Sequence, residues 1–134
     1  MTFQDDPRAR KTITFASATS LSPLLDLAGY RIAALDMSSG WDAANRMTFQ
    51  ASPDAATATS PTWHDLYDSS GAELQIASGA PFTSTTGRAL YIDDTPLGRS
   101  LASHRYVRFR SGPAATPANL STGVTITAML LPVR

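Results

Sequence analysis

The sequence WDAANRMTFQASPD at residues 41–54 contains a strand signal that recurs further along the chain. From residue 47 to residue 52 apolar and polar side chains alternate, and Pro and Asp follow at once. An alternation of period two places one set of side chains on a buried face of a β-strand and the other set on a solvated face. Similar short runs, bounded by turn residues, occur in WHDLYDSSGAELQIA (63–77), GRALYIDD (87–94) and HRYVRFRSG (104–112). Runs of this length and spacing are typical of a β-sandwich or a β-barrel.

Composition supports strands over helices along the whole chain. Lys and Glu occur once each, whereas Ser and Thr are plentiful, which disfavours helix and suits strands and turns. One short turn of helix is expected from Pro96. Pro23 argues against a central strand in the segment around residue 23. The predicted strands are Thr12–Phe15, Tyr30–Met37, Arg46–Ser52, Trp63–Tyr67, Glu73–Ile76, Arg88–Ile92, Arg105–Ser111 and Val124–Leu131. Eight short strands predict an all-β fold, a two-sheet antiparallel β-sandwich of the jelly-roll type or a related one.

The chain length predicts a single domain preceded by an arm. A chain of 134 residues suits one domain with one core. Residues 1–11 are polar and aperiodic, so we expect a polar N-terminal arm there and a single β-sandwich domain over residues 12–134. The expected core consists of the inward-facing apolar residues Phe15, Ile32, Met47, Phe49, Leu66, Leu74, Ile76, Leu90, Ile92, Val107, Phe109, Val124, Ile126 and Leu130.

The charge balance argues against several classes of partner. Eleven basic and eleven acidic residues cancel, whereas nucleic-acid binding needs a clustered positive excess. Arg108 and Arg110 share one face of a predicted strand and Arg105 lies on the other, which indicates a solvated sheet face. The start of the chain lacks the apolar run of a signal peptide, and no segment approaches the roughly 20 apolar residues of a membrane span. Because cysteine is absent, we expect the chain to fold in a reducing cytoplasm. The charge balance and the lack of a long apolar segment predict no nucleic-acid partner and no membrane insertion.

The residues that could carry chemistry form no recognisable catalytic or metal-binding motif. His64 and His104 are forty residues apart, and surface or turn positions are expected for both. Glu73, the one Glu of the chain, follows a turn, where exposure is expected. The pairs at residues 5–6 and 93–94 offer Asp oxygens for calcium, but neither has EF-hand spacing, and Asp also suits turns. No nucleophile elbow or phosphate-binding glycine loop is present, so the sequence predicts no catalytic residues, no metal, no cofactor and no enzyme activity.

Two aromatic residues are candidates for ligand binding. Trp63 and Tyr67 are four residues apart on one face of a predicted strand, and together they could form a platform on which a sugar ring stacks. Large aromatic residues in a small β-domain also pack in the core or at its edge, and core packing is the interpretation favoured for Trp63. Both alternatives stay open at the level of the sequence.

Four segments carry a resemblance to a known family. They are LLDLAGYRIAALDMSSGWDAANRMTFQAS, WHDLYDSSGAEL, RYVRFRSGPAATPAN and VTITAMLLPV, and they span about residues 24–134. Together the segments resemble small virion-associated proteins of tailed phages, prophages and alphaproteobacterial gene transfer agents, of the head-spike or head-fibre type. The matching residues are Trp41, Thr48, Phe49, Gln50, Ser52, Asp54, Tyr67, Asp68, Gly71, Arg110, Ser111 and Gly112.

The order of the strands is also similar to that of the discoidin-like, galactose-binding-domain sandwich. In that pattern a strand ending in Ser-x-Asp-Gly precedes an aromatic residue and a second strand. Here Asp54 is followed by Ala55, and the loop to Trp63 is longer, so no ligand-binding role is carried over through that loop.

The resemblance implies a structural role in a virion. The expected protein is a component of a phage or phage-like particle, such as a head spike, a fibre or a fibre base, which displays loops outward. It would be a homo-oligomer that contacts other virion proteins, and host-surface polysaccharide is a further expected partner. The expected location is the virion, assembled in the bacterial cytoplasm without a signal peptide. The alternative function is that of a carbohydrate-binding module that recognises a cell-surface glycan.

Overall fold

The computed structural model describes residues 9–79, 82 and 87–132, and these residues form an antiparallel β-sandwich. The fold class predicted from the sequence is therefore confirmed. The described residues form nine strands and one short helix, where eight strands are expected from the sequence. The elements are β1 (Ala9–Phe15), β2 (Leu25–Asp26), β3 (Tyr30–Met37), β4 (Met47–Ser52), β5 (His64–Asp65), β6 (Gln75–Ile76), β7 (Arg88–Tyr91), α1 (Pro96–Ala102), β8 (Tyr106–Ser111) and β9 (Val124–Pro132).

The two sheets divide the strands between them. Sheet A has the order β1-β9-β3-β7, and sheet B has the order β2-β8-β4-β5, with β6 also paired to β4. The long strands β9 and β4 lie inside their sheets, whereas the two-residue strands β2 and β5 lie at the edges of sheet B. Pro23 precedes β2, which agrees with the expectation that no central strand forms there.

One edge of sheet B is interrupted by a hairpin. Residues 64–65 pair with the second half of β4, and residues 75–76 continue along its first half. Between them the chain leaves the sheet at residue 67 and returns at residue 73, where Tyr67 and Glu73 form an antiparallel bridge. We call residues 67–73 the clasp hairpin. The sequence predicts strands over Trp63–Tyr67 and Glu73–Ile76. Strands do form there, but they are shorter than predicted, because the hairpin takes both inner ends out of the sheet.

The core lies between the inward faces of the sheets. Val107 and Phe109 of β8 are fully buried, as the alternation predicts, and the Phe49 and Phe109 rings meet edge to face with centroids 5.4 Å apart. Of the fourteen predicted core residues, Ile76 and Leu90 are only partly buried. Ile76 lies on β6 at an edge of sheet B, and Leu90 lies on β7 at an edge of sheet A. Residues that the alternation did not identify join the core, and they include Ile13, Leu25, Leu27, Leu35, Met37, Trp41, Phe82, Leu97, Leu101, Leu120 and Ala128.

The strand β1 begins earlier than the sequence predicts. Ala9, Arg10 and Lys11 pair in register with Leu130, Met129 and Ala128 of β9. These three residues therefore belong to the sandwich and not to an arm, because β-pairing continues although Arg10 and Lys11 have polar side chains. The rest of the predicted arm, residues 1–8, lies outside the described residues.

The helix α1 forms where Pro96 predicts a turn of helix. Thr95 is the N-cap, and its Oγ1 accepts a hydrogen bond from the backbone N–H of Gly98. Leu97 and Leu101 are buried against the core. Gly98 lies so close to the chain before the helix that a Cβ atom built on it would be 2.1 Å from the carbonyl oxygen of Ile92.

Candidate functional site

The outer face of sheet B carries a charged group that is almost fully buried. The side chain of Arg110 is 4% exposed, although it points away from the core. Its Nη1 donates to Oδ1 of Asp65 at 2.7 Å, and its Nη2 donates to Oε2 of Glu73 at 2.8 Å. Its Nε donates to Oγ1 of Thr48 at 2.9 Å. Three donors of the guanidinium are thus used within the protein, which leaves little of it for an external anion.

The clasp hairpin supplies the cover over Arg110. Glu73 at its end is 13% exposed and also accepts the backbone N–H of Ala114, at 3.2 and 3.1 Å. The turn is closed by Asp68, whose Oδ1 accepts from the Ser70 hydroxyl and from the backbone N–H groups of Ser70 and Ala72. These bonds hold the pKa of Asp68 below its usual range, the Ser70 hydroxyl bond first. Hydrogen bonds to Asp68 therefore close the turn of the hairpin, and the bonds of Glu73 to Arg110 and Ala114 hold its end against sheet B.

Two expectations from the sequence are wrong on this face. Arg110 does not lie on a solvated surface, and Glu73 is not exposed. The sequence places each residue correctly on its strand or turn, but the contact between them spans 37 residues and depends on the fold-back of the hairpin.

A bridge of side chains extends this cluster along the face. Gln50 donates to Oδ1 of Asp65 at 2.9 Å and accepts from Nε of Arg108 at 2.7 Å. Partial burial opposes ionisation of Asp65, but the hydrogen bonds from Arg110 and Gln50 outweigh it and lower the pKa of the carboxyl group. Burial, and the nearby charge of Arg110, lower the pKa of Arg108. Two guanidinium groups and two carboxylates thus form an internally neutral network.

The predicted aromatic platform is divided between two environments. Trp63 is half-buried, and the guanidinium carbon of Arg108 lies 4.3 Å from its ring centroid. Tyr67 is 52% exposed at the start of the clasp hairpin. Trp63 is not a member of the buried core, contrary to the favoured interpretation, and the buried tryptophan is Trp41, with 1% exposure. One face of the Trp63 ring is therefore occupied by Arg108 and is closed to a ligand.

A cleft lined by both apolar and charged side chains lies at one end of the sandwich. Because β4 is antiparallel to both β5 and β8, the end of β4 meets the beginnings of β5 and β8 at the same place. The cleft there has a volume of about 530 Å³. We call it the end cleft, and its lining includes Asp54, His64, Leu66, His104, Arg105 and Tyr106. The two histidines that appear unrelated in the sequence therefore face one space.

Two charged side chains that line the end cleft, Asp54 and Arg105, already form hydrogen bonds with other groups of the protein. Oδ1 of Asp54 accepts the backbone N–H of Thr62 at 2.9 Å and the Ser52 hydroxyl at 2.9 Å. These bonds, the Thr62 bond first, lower the pKa of Asp54, so the carboxyl group is ionised at neutral pH. Arg105 makes two bonds to Asp26, from Nε at 3.0 Å and from Nη2 at 3.3 Å. Burial lowers the pKa of His104, which favours its neutral form.

The remaining candidates for chemistry are paired or lie elsewhere. Asp93 pairs with Arg31 at 3.0 Å and Asp94 with Arg99 at 3.5 Å, while the Asp pair at residues 5–6 lies outside the described residues. Among the residues that the structure describes, no group of three or more His, Cys, Asp or Glu side chains could hold a metal ion. No helix within the described ranges is long and apolar enough to cross a membrane.

Comparison of the chain with models of known protein families, with curated proteins and with solved structures finds no significant match.

Proposed function

We propose that this protein is a structural component of a phage or phage-like particle, a head spike, fibre or fibre base that displays loops outward from a rigid β-sandwich. The observation that supports this proposal is the role of the residues that resemble the virion family. Thr48 accepts from Arg110 and donates to the carbonyl oxygen of Gly112 at 2.6 Å. Gln50 joins the two halves of the charged network, and Asp68 closes the clasp hairpin.

These residues hold sheet B and its turns in shape: Thr48 bonds the loop after β8, Gln50 links β5 to β8 across β4, and Asp68 closes the turn of the clasp hairpin. Gly112 has a φ of +88°, and a Cβ atom on it would be 2.7 Å from the backbone nitrogen of Ala118. Gly71 in the clasp hairpin has a φ of +89°. The resemblance therefore rests on residues that stiffen a scaffold, which is the property that a displayed particle component needs.

The proposal is tested by imaging particles from the host with and without this gene. Loss of a surface projection, and its return when the gene is restored, would support a structural role. The proposal would be contradicted if particles made with and without the gene looked the same and mass spectrometry found no copy of the protein in the particles made with it. The same role predicts a homo-oligomer in solution, because virion components assemble symmetrically. A monomer of 14.2 kDa by light scattering at all concentrations would count against that part.

The second candidate function is a carbohydrate-binding module that uses Trp63 and Tyr67. The exposure of Tyr67 and the partial exposure of Trp63 favour it. Binding to a glycan array that is lost in Tyr67→Ala would support this function. Ser69→Ala, in the same hairpin, is a matched control for any effect on the turn. Equal binding by both variants would contradict a role of the platform.

A further inference from the structure

We propose that residues 1–4 of one copy of this chain bind as an added β-strand in a groove between the two sheets of a neighbouring copy. The groove lies where β7, at an edge of sheet A, faces β6 of sheet B, and its volume is about 460 Å³. We call it the edge groove. The contact would hold together the homo-oligomer of the proposed function, on which it rests. Four observations support it.

The first observation is the apolar lining of the edge groove. Its walls come from both sheets and from the start of α1. The apolar residues of the lining include Leu74, Ile92 and Leu97 of the core and the partly buried Ile76 and Leu90. A groove of this kind meets water when the copy is alone, so covering it with apolar side chains is favourable.

The second observation is a free backbone edge beside the groove. The N–H of Ile92 donates to the carbonyl oxygen of Ala33 in β3. Successive residues of an antiparallel ladder direct their backbone groups to opposite sides, so those of Ala89 and Tyr91 point away from β3. In the part of the chain that the structure describes, no group bonds to them. An edge of this kind can pair with a further strand.

The third observation is the sequence of residues 1–4, MTFQ, which recurs unchanged at residues 47–50. There it begins β4, and Met47 and Phe49 are fully buried on one face of that strand. The same tetrapeptide in residues 1–4 would carry Phe3 on its apolar face, although the rest of the arm is polar. The four phenylalanines that the structure describes are all buried. Phe3 is therefore suited to fill an apolar groove.

The fourth observation is a distance, which favours a neighbouring copy over the same copy. Ala9 lies on β1, at the opposite edge of sheet A from β7. Three strand spacings separate these edges, roughly 14 Å. Residues 5–8 span at most roughly 14 Å when fully extended. They would be used up along the end of the sheet before residues 1–4 could enter the groove beyond β7, so we assign residues 1–4 to the groove of another copy.

The absence of cysteine from the chain makes a direct test possible. Two full-length variants, Gln4→Cys and Ala89→Cys, are mixed and mildly oxidised. Both side chains would lie on the outer face of the joined sheet, so we expect a disulfide-linked dimer with one chain of each variant. In the control mixture Thr14→Cys, on the outer face of β1, replaces Ala89→Cys and should give much less of the mixed dimer. Equal yields in the two mixtures, or no mixed dimer with Ala89→Cys, would overturn the proposal.

Analytical ultracentrifugation of single variants is the second measurement. Phe3→Ser removes the apolar side chain and should weaken self-association by about tenfold or more. Gln4→Ala, on the opposite face of the segment, is the matched control and should leave association unchanged. Ala89→Pro removes an N–H that points away from β3, so pairing with β3 should persist while association weakens as in Phe3→Ser.

Thermal melting of each variant shows whether the fold is kept. A monomeric parent protein, or self-association that neither Phe3→Ser nor Ala89→Pro weakens, would contradict the contact. Neither result bears on the presence of the protein in particles, which the imaging experiment tests separately.

Discussion

Arg110 shows how a charged residue comes to be buried on the outer face of a sheet. Burying a charge is costly unless it is paired and its donors are satisfied. Asp65 and Glu73 supply two carboxylates, and the hydroxyl oxygen of Thr48 accepts a hydrogen bond from Nε of the guanidinium. Removing the arginine would leave Asp65 and Glu73 without the positive charge that pairs with both of them.

We therefore expect Arg110→Ala to lower the free energy of unfolding by about 3 kcal/mol or more, as for other broken buried pairs. Urea denaturation followed by circular dichroism measures the loss. The matched control is Arg99→Ala, because the pair of Arg99 with Asp94 is mostly exposed and should change stability by less than about 1 kcal/mol. Similar losses in the two variants would show that the network around Arg110 does not stabilise the fold.

The two tryptophans differ in depth, and their substitutions should differ accordingly. Trp41 is 1% exposed, stacks on Phe82 with ring centroids 5.1 Å apart, and donates from Nε1 to the carbonyl oxygen of Asn45. Trp41→Ala should cost about 3–5 kcal/mol. Trp63→Ala should cost only about 1–2 kcal/mol, because it loses a stacked guanidinium and partial burial. Thermal melting of both variants measures the difference, and a larger loss for Trp63 would place that ring in the core after all.

Among the secondary-structure elements, α1 packs unusually close to the chain that precedes it, at Gly98, and helix propensity does not predict this contact. In an exposed helix, Gly→Ala stabilises by about 1 kcal/mol. At Gly98 the added methyl group would be 2.1 Å from the carbonyl oxygen of Ile92, so the helix would have to shift. We expect Gly98→Ala to destabilise the protein by about 1–3 kcal/mol, the usual cost of overpacking.

Chemical denaturation of Gly98→Ala tests this expectation. Ser100→Ala, in the same helix, is the control, and it should change stability by about 0.5 kcal/mol or less. If Gly98→Ala proved more stable than the parent protein, the helix would not be held against Ile92 as described.

The first strand leads to a prediction about truncation. Ala9, Arg10 and Lys11 form three register pairs with β9, and Lys11 also donates from Nζ to the carbonyl oxygen of Asp26. Deleting residues 2–11 should therefore lower the melting temperature below that of a protein lacking only residues 2–8. The shift should be about 4–8 °C for each kcal/mol lost, the range for domains slightly smaller than this one. Equal melting temperatures would mean that the start of β1 contributes nothing to stability.

At the scale of the whole molecule, stability should depend on pH in two windows. The pKa of His104 is lowered in the folded state, so the folded protein binds fewer protons than the unfolded chain. Its contribution is present above about pH 6.5, the unfolded value, and is lost as the pH falls from there through the folded value. Asp54, Asp65 and Asp68 also have lowered pKa values, and their contribution is lost below about pH 4.

Urea midpoints measured between about pH 8 and about pH 3 should therefore fall in two steps. In His104→Gln the upper step should disappear, and the lower step should remain. An upper step that persists in this variant would assign it to another group.

For β4 and β8, the position of the strand and the direction of its side chains could be predicted from the sequence alone. Met47 and Phe49, and likewise Val107 and Phe109, lie inward as their alternation predicts, because the period of a strand is a local property of the backbone. Turn chemistry is also local, and it placed α1 after Thr95 and a turn at Gly71.

Which distant residues meet depends on the order of the strands in the folded protein. The ion pair of Arg110 with Glu73, and the end cleft that His64 and His104 share, depend on which strands are neighbours of β4. Strand order follows from the burial of both sheets in one core, and the loops between strands do not encode it. For that reason the sequence placed the strands on either side of the cleft without showing that their ends converge.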